Sequence, residues 1–288
     1  MSLHRSIRGR LSQLYGEGEA RAMTMALLED AASLSQADVL AGKADALPQA
    51  QQANLLAMAE RMATGEPYHY VVGWQHFCGL RIGTRPGVLI PRPETEALVD
   101  WAVEEVARMH APSLLDAGTG SGCIALALKH ARADASVEAW DISPHALNIA
   151  RANARELGLD VAFREVDLLD DSIEESANEG AIFFDGIVSN PPYVCESERA
   201  EMLPNVLDHE PPLALFVPDE DPLLFYRALA RIAQRRLRPG GFLMVEINRR
   251  FGQEVMSLFQ AGGLVGTTLR NDPFGNPRMV ATRKPYQQ

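Results

Sequence analysis

Residues 113 to 128 read SLLDAGTGSGCIALAL, an apolar run of strand length, a turn with glycine at positions 118, 120 and 122, and apolar residues at helical spacing. Glycines there let the backbone turn tightly and approach a ligand closely, because no Cβ stands in the way. The spacing GxGxG differs from the GxGxxG of dinucleotide binders, and Asp116 just ahead of it would be a poor neighbour for a pyrophosphate. The next strand, SVEAWD, ends at Asp141 roughly twenty residues on, where a carboxylate can accept hydrogen bonds from both hydroxyls of a ribose. The combination points to a nucleoside cofactor without phosphates, S-adenosylmethionine. The turn residues Gly118, Thr119, Gly120, Ser121 and Gly122 are therefore cofactor candidates together with Asp141. Asp167 closes the third strand, VAFREVD, on the same rim and is a candidate for contact with adenine, with a solvated loop carboxylate or a helix cap as the competing reading.

The same alternation extends on both sides. TEALVDWAVEEVARM, CIALALKHA and PHALNIARANARELG read as helices between the strands SLLDA, SVEAWD and VAFREV. Strands alternating with amphipathic helices imply βαβ units and a parallel sheet, hence an α/β fold. Ser143 followed by Pro144 predicts a capped helix start, and Asp221 followed by Pro222 predicts another before LLFYRALARIAQRRL. Pro239, Gly240 and Gly241 are expected to stop that helix ahead of a buried strand, GFLMVEI. The acidic stretch DDSIEESANEG is expected to be a surface loop or short helix.

Upstream the character differs. Residues 1–73 are rich in helix formers, with apolar residues at helical spacing in ARAMTMALLEDAA and AQQANLLAMAERMA, and predict a small all-helical unit. Residues 74–93 bring Gly, Pro, aromatic and β-branched residues and read as a β-hairpin connector, leaving 94–288 as the α/β domain.

The chain has 288 residues, 47% of them apolar, which is enough for a substantial core. Its net charge of -11 argues against a general attraction to nucleic acid or anionic membrane. Arg235, Arg236 and Arg238 cluster where a helix should end, a position that suits the helix dipole. No apolar run approaches the roughly 20 residues of a membrane span, and the opening residues lack the apolar region of a signal peptide. The three cysteines, Cys78, Cys123 and Cys195, are far apart and lack metal-type spacing, which fits a reducing cytoplasm. His69, His76, His145 and His209 are scattered, so no metal site is expected.

The fourth strand carries the chemistry. GIVSNPPYVC, residues 186 to 195, stops at Asn190, and in open α/β sheets ligands bind beyond the carboxyl ends of strands. Two prolines in a row fix φ, remove two N–H donors and push Asn190 and Pro191 out of the helical region. A stiff loop presenting acceptors results. The Asn190 side-chain oxygen and the Pro191 main-chain carbonyl can receive both N–H bonds of a planar NH2 group, with Tyr193 lying against its face. Asn190, Pro191, Pro192 and Tyr193 are thus the substrate candidates, and Asn190, Pro191 and Tyr193 the catalytic ones. Such a site suits an sp2-attached nitrogen, and positioning plus electrostatics carry the transfer without a strong general base.

With the glycine turn, Asp141 and Asn-Pro-Pro-Tyr in one order, the sequence resembles the HemK/PrmC family of protein-glutamine methyltransferases. The resemblance also takes in WQHFCGLRI, LIPRPETEALV, HEPPLAL, LRPGGFLMVEI and the closing D-x-x-G-x-x-R of NDPFGNPR. It implies a Rossmann-like seven-stranded S-adenosylmethionine-dependent domain with an antiparallel last strand near MVATRK. It further implies methylation of the glutamine side-chain amide in the Gly-Gly-Gln motif of class I peptide chain release factors, with S-adenosylhomocysteine as product. Transferred by position, the cofactor loop is Gly118 to Gly122, the ribose acid Asp141, and the substrate loop Asn190 to Tyr193. Asn190 counts toward the cofactor set as well. Leu168 stands where relatives often carry an aromatic beside the adenine, and FVPDEDPLL departs from the usual glycine-rich segment. The helical unit is expected to grip the protein substrate. A cytoplasmic monomer acting transiently on release factors, without membrane or direct nucleic-acid binding, is the expectation. The alternatives are a glutamine methyltransferase for a ribosomal protein, an adenine methyltransferase on nucleic acid, and a non-catalytic S-adenosylmethionine-binding adaptor. Pro91 to Glu96, PRPETE, favours the release-factor branch, although its physical role is open between a rigid helix-capping linker and a wall of the cofactor pocket.

Overall fold

The computed structural model describes residues 2–170, 183–272 and 275–286. The chain divides into two compact units, residues 1–74 with 202–210, and residues 75–201 with 211–288.

In the first unit, α1 (Leu3–Leu11), α2 (Glu17–Ala32), α3 (Gln36–Leu40), α4 (Gln49–Ala63) and α5 (Tyr68–Val72) follow one another. Their apolar faces meet in a core that contains Ile7, Leu11, Leu27, Leu28, Leu55 and Met62. Burial of each such side chain contributes roughly 1.5–3 kcal/mol, which holds together helices too short to persist alone. Ser35 caps α3 by a reciprocal capping box with Asp38.

The second unit opens with a hairpin of β1 (Trp74–Phe77) and β2 (Leu80–Gly83). Its two-residue turn, Cys78-Gly79, has positive φ at both positions, 48° and 74°, the backbone that matches strand twist in a tight hairpin. Helix α6 (Pro93–Glu105) begins two residues before the predicted start, with Pro93 in its first turn. Then come β3 (Ser113–Ala117), α7 (Cys123–Ala131), β4 (Ser136–Asp141), α8 (Pro144–Leu157), β5 (Ala162–Glu165) and β6 (Phe184–Ser189). The short strands β7 (Val194–Cys195) and β8 (Phe216–Val217) pair in parallel with each other, and α9 (Pro204–Leu207), which belongs to the first unit, lies between them in sequence. The chain ends with α10 (Leu224–Arg236), β9 (Leu237–Glu246), α11 (Gly252–Ala261), β10 (Val265–Asn271) and β11 (Pro277–Arg283).

Seven strands form one sheet in the order β10-β11-β9-β6-β3-β4-β5. From β9 to β5 all neighbours run parallel, and β11 runs antiparallel between β9 and β10. This is the Rossmann-like seven-stranded fold expected above, with the antiparallel strand in the expected place. Strand order reverses between β3 and β6, and in open sheets ligands enter at such a switch point. Gly186 lies there in β6, and a Cβ on it would come within 2.2 Å of the Phe242 ring on β9, so only glycine lets that ring fill the core.

Two local expectations are corrected. Helix α10 starts at Leu224, not after Asp221: Asp221 accepts the Leu224 N–H through its carbonyl in a turn, and its carboxylate pairs with Arg227. Pro239, Gly240 and Gly241 do not stop the helix either. It ends at Arg236 and β9 is already running, because Leu237 pairs with Phe184 across a register irregularity. Sheet pairing overrides the usual punctuation by proline and glycine. Ser143 does cap α8, accepting the Ala146 N–H at 3.2 Å. The acidic stretch at 170–180 falls, apart from Asp170, outside the described residues.

Candidate active site

The turn after β3 is fixed by its own backbone and by one buried acid. Gly118 and Thr119 both donate N–H bonds to the Trp140 carbonyl at the end of β4, at 2.9 and 2.8 Å. Gly118, Gly120 and Gly122 have φ of 79°, 55° and 85°, a region costly for any residue with a Cβ. At Gly122 a Cβ would also press to 3.0 Å from the Ala150 methyl of α8. Asp116 is fully buried beneath the turn, and its Oδ2 accepts the Thr119 hydroxyl at 2.6 Å and the Ala125 N–H at 3.0 Å. It thus ties strand, turn and first helical turn together and does not line the cleft.

Burial pushes the Asp116 carboxyl up from 3.8 to about 7, against those two hydrogen bonds and with help from Asp141. The unfolded chain ionises this group from about pH 4, so its contribution to stability is fully present below that pH and is lost as pH rises through about 7. Asp116→Asn should remove this dependence. In urea unfolding at a series of pH values, the variant should gain on the parent between about pH 4 and pH 7, by on the order of a few kcal/mol.

At the end of β4, Asp141 holds the turn from the other side. Its Oδ2 accepts the Gly120 N–H at 2.8 Å and its Oδ1 the Ser143 N–H at 2.9 Å. Burial raises its pKa, opposed by those N–H bonds. Each oxygen keeps a further lone pair, and the carboxylate lines a cleft shared with Gly118, Thr119, Gly120 and Ser121. Asp167, Leu168, Asn190 and Pro192 line the same cleft. Leu168 is buried; Asp167 spends its Oδ1 on the Leu169 N–H at 2.9 Å. Gly122, Pro191 and Tyr193 are not among the lining residues.

The end of β6 is bound to that of β3 by the Ser189 hydroxyl, which donates to the Ala117 carbonyl at 2.6 Å. Asn190 therefore emerges beside the glycine turn. Its Nδ2 donates to Thr95 Oγ1 at 3.1 Å. The Tyr193 hydroxyl turns inward and donates to Glu246 Oε1 at 2.8 Å. Neither Thr95 nor Glu246 was singled out by sequence reasoning. The available signal was topological: β9 runs parallel beside β6, so an acid ending GFLMVE must reach the rim that carries Asn190. PRPETE meets the cleft directly, with Pro91, Arg92 and Thr95 in its wall, and Glu94 and Glu96 occupy the first turn of α6. FVPDEDPLL contributes strand β8 and Asp219, whose Oδ1 accepts the Ser197 N–H and hydroxyl at 3.0 and 2.7 Å.

The cleft suits the cofactor inferred from sequence. A Cβ on Gly120 would meet no protein atom within 4 Å, so the glycine leaves open space that a ligand can fill. The apolar side chains of Val88, Ile142 and Leu168 line the cleft together with the Asp141 carboxylate, a combination that suits a flat base attached to a ribose. Among the described residues no group of His, Cys, Asp and Glu could hold a metal ion, and no helix is long and apolar enough to cross a membrane.

Sheet topology and cleft define a methyltransferase. Residues 95–215 match the Methyltransferase small domain, and residues 2–73 the PrmC N-terminal domain. A solved methyltransferase from Pyrococcus furiosus shares the fold, with a TM-score of 0.52 at 17% identity over 72% of this chain and 90% of its own. The release factor glutamine methyltransferase of Bacteroides thetaiotaomicron is 43% identical over 96% of this chain and 98% of its own length. That of Flavobacterium psychrophilum is 38% identical over 94% of each. The chain belongs to the release factor glutamine methyltransferase family.

Proposed function

We propose that the protein transfers a methyl group from S-adenosylmethionine to the side-chain amide nitrogen of glutamine, in the Gly-Gly-Gln motif of class I peptide chain release factors. The observation that carries the reading is the orientation of Asn190 at the rim of the cleft: its NH2 is committed to Thr95, so its Oδ1 is the atom left for an incoming NH2 group. S-adenosylmethionine supplies an electrophilic sulfonium methyl when bound. Asp141 would hold the ribose hydroxyls, the turn from Gly118 to Gly122 would pass along the amino-acid portion, and Asp167 and Leu168 would flank the adenine.

An amide nitrogen is a weak nucleophile, because its lone pair is delocalised into the carbonyl. Asn190 Oδ1 and the Pro191 carbonyl would accept its two N–H bonds, raise electron density on nitrogen and restrict its approach to one line. Fixed acceptors of this kind cost no reorganisation during reaction. The rigid Pro191-Pro192 pair keeps the acceptors in place. As nitrogen gains positive character its protons become acidic, so water can remove one without a dedicated base. Tyr193 would present a ring face to the amide while its hydroxyl stays anchored. The helical unit, residues 1–73, would recognise the body of the release factor, and the hairpin at 74–93 would connect it to the α/β domain at 94–288.

Incubating the protein with methyl-labelled S-adenosylmethionine and a class I release factor, then sequencing peptides by mass spectrometry, tests the reading. Label on the Gly-Gly-Gln glutamine is expected. Label confined to a ribosomal protein or to adenine in nucleic acid, when these are offered instead, would overturn it.

A further inference from the structure

Thr95 and Glu246 stand 151 positions apart, yet their side chains meet behind Asn190. The contacts form a chain with a defined direction. Glu246, at the end of β9, is almost completely buried. Its Oε2 accepts the Thr95 hydroxyl at 2.6 Å and its Oε1 accepts the Tyr193 hydroxyl at 2.8 Å. Burial raises its pKa, against these two bonds; once ionised, the carboxylate only accepts, so both hydroxyl protons then point toward it. A threonine hydroxyl has one proton. With that proton given to Glu246, Thr95 Oγ1 can only accept from its remaining neighbour, which is Asn190 Nδ2 at 3.1 Å.

From this polarity we infer that Thr95 and Glu246 are positioning residues that fix which end of the Asn190 carboxamide faces the substrate, an inference that rests on the function proposed above. The two ends of an asparagine amide are nearly equal in size and opposite in hydrogen-bonding sense. Turned over, Asn190 would present N–H donors to the N–H bonds of the glutamine amide and repel the group it has to hold. Nothing in the Pro191-Pro192 backbone sets this choice; it needs a neighbour that can only accept. Thr95 is that neighbour because Glu246 consumes its proton. The arrangement gives PRPETE a chemical reason for its threonine: α6 starts at Pro93, which places residue 95 in the first turn, against the ends of β6 and β9.

Tyr193 belongs to the same network. By donating to the second oxygen of Glu246 it satisfies the carboxylate on both sides, which offsets part of the cost of burying it. Burial raises the pKa of Glu246, and Arg278, from the closing D-x-x-G-x-x-R, opposes that rise together with the two hydroxyl bonds, while itself pairing with Asp272 at 3.6 Å. The closing motif and the substrate loop are thereby connected through one carboxylate.

Three proteins test the inference: the full-length parent, Thr95→Val and Thr95→Ser. Valine keeps the shape and removes the acceptor, whereas serine keeps the hydroxyl. In Thr95→Val, kcat for glutamine methylation should fall by about 10²-fold, the loss typical of a misplaced reacting group, while the KM for S-adenosylmethionine stays near that of the parent. Thr95→Ser should restore most of the turnover. A second readout needs no turnover. With 15N-labelled asparagine, the Asn190 carboxamide signals, assigned by their loss in Asn190→Ala, should show one strongly bonded proton in the parent and in Thr95→Ser but not in Thr95→Val. An unchanged amide signal in Thr95→Val, or an unchanged kcat beside an active parent, overturns the inference. A parent that places no label on the glutamine overturns the proposed function instead, and the amide signals still decide the role of Thr95.

Discussion

Asn190→Ala is expected to lower glutamine methylation by at least about 10²-fold, the scale on which loss of one preorganised electrostatic partner acts, while the affinity for S-adenosylmethionine changes little. Alanine removes the Oδ1 acceptor but leaves the loop in place, because the two prolines and the Ser189 bond to Ala117 hold the backbone independently. The turn, Asp141 and the Leu168 wall make no hydrogen bond to the Asn190 side chain in the structure, so the nucleoside end of the cleft should be undisturbed. Asn190→Asp sharpens the test. It keeps an oxygen toward the substrate but faces Thr95 with an acceptor in place of the donor Nδ2. The single Thr95 proton would then be contested by two carboxylates, and activity should fall about as far as in the alanine variant. Turnover by mass spectrometry and cofactor binding by calorimetry check both variants; full turnover in either would sink the role given to Asn190.

Local pattern made the sheet legible. SLLDA, CIALALKHA and SVEAWD became β3, α7 and β4 with the predicted ends, because each is bounded by residues whose backbone chemistry is decisive: three glycines at positive φ after β3, and Ser143-Pro144 opening α8. Prediction failed where tertiary pairing outweighs local preference. Pro239 and Gly240 read as a stop, but β9 can include them because the ladder to β6 is irregular at that point. The cleft residues predicted at strand ends came together because a parallel sheet delivers all its carboxyl ends to one rim. Thr95 was invisible for the converse reason. Within its own segment it is one residue in the first turn of a helix, indistinguishable from a solvated position, and its partners Asn190 and Glu246 are 95 and 151 positions away. Tyr193 shows where spacing stops: the residue does not line the cleft, and the anchoring of its hydroxyl on Glu246 depends on β9 lying next to β6.

Asp141 offers the second large effect, and the conservative variant is the informative one. An amide is the usual mild replacement for a carboxylate, yet here both oxygens already accept backbone N–H bonds, from Gly120 and from Ser143. In Asp141→Asn one of these N–H groups must face an NH2 group, donor against donor, whichever way the amide is turned. If Gly120 loses its partner, the glycine turn is released at its centre, where φ is 55° and only hydrogen bonding fixes the backbone. If Ser143 loses it, the entry to α8 loosens, and with it the loop that carries Ile142 along the cleft. The same variant also halves the acceptor capacity proposed for the ribose hydroxyls. Hydrogen bonds to a charged group contribute about 1.5–3 kcal/mol each, so calorimetry should show S-adenosylmethionine affinity reduced by about 10²-fold or more, nearly as much as in Asp141→Ala. Thermal unfolding should drop in both variants as the turn loses its bonds. Both variants binding the cofactor like the parent would mean that the nucleoside does not rest on Asp141, whereas loss in alanine alone would mean that one acceptor suffices and that the turn tolerates the unpaired N–H.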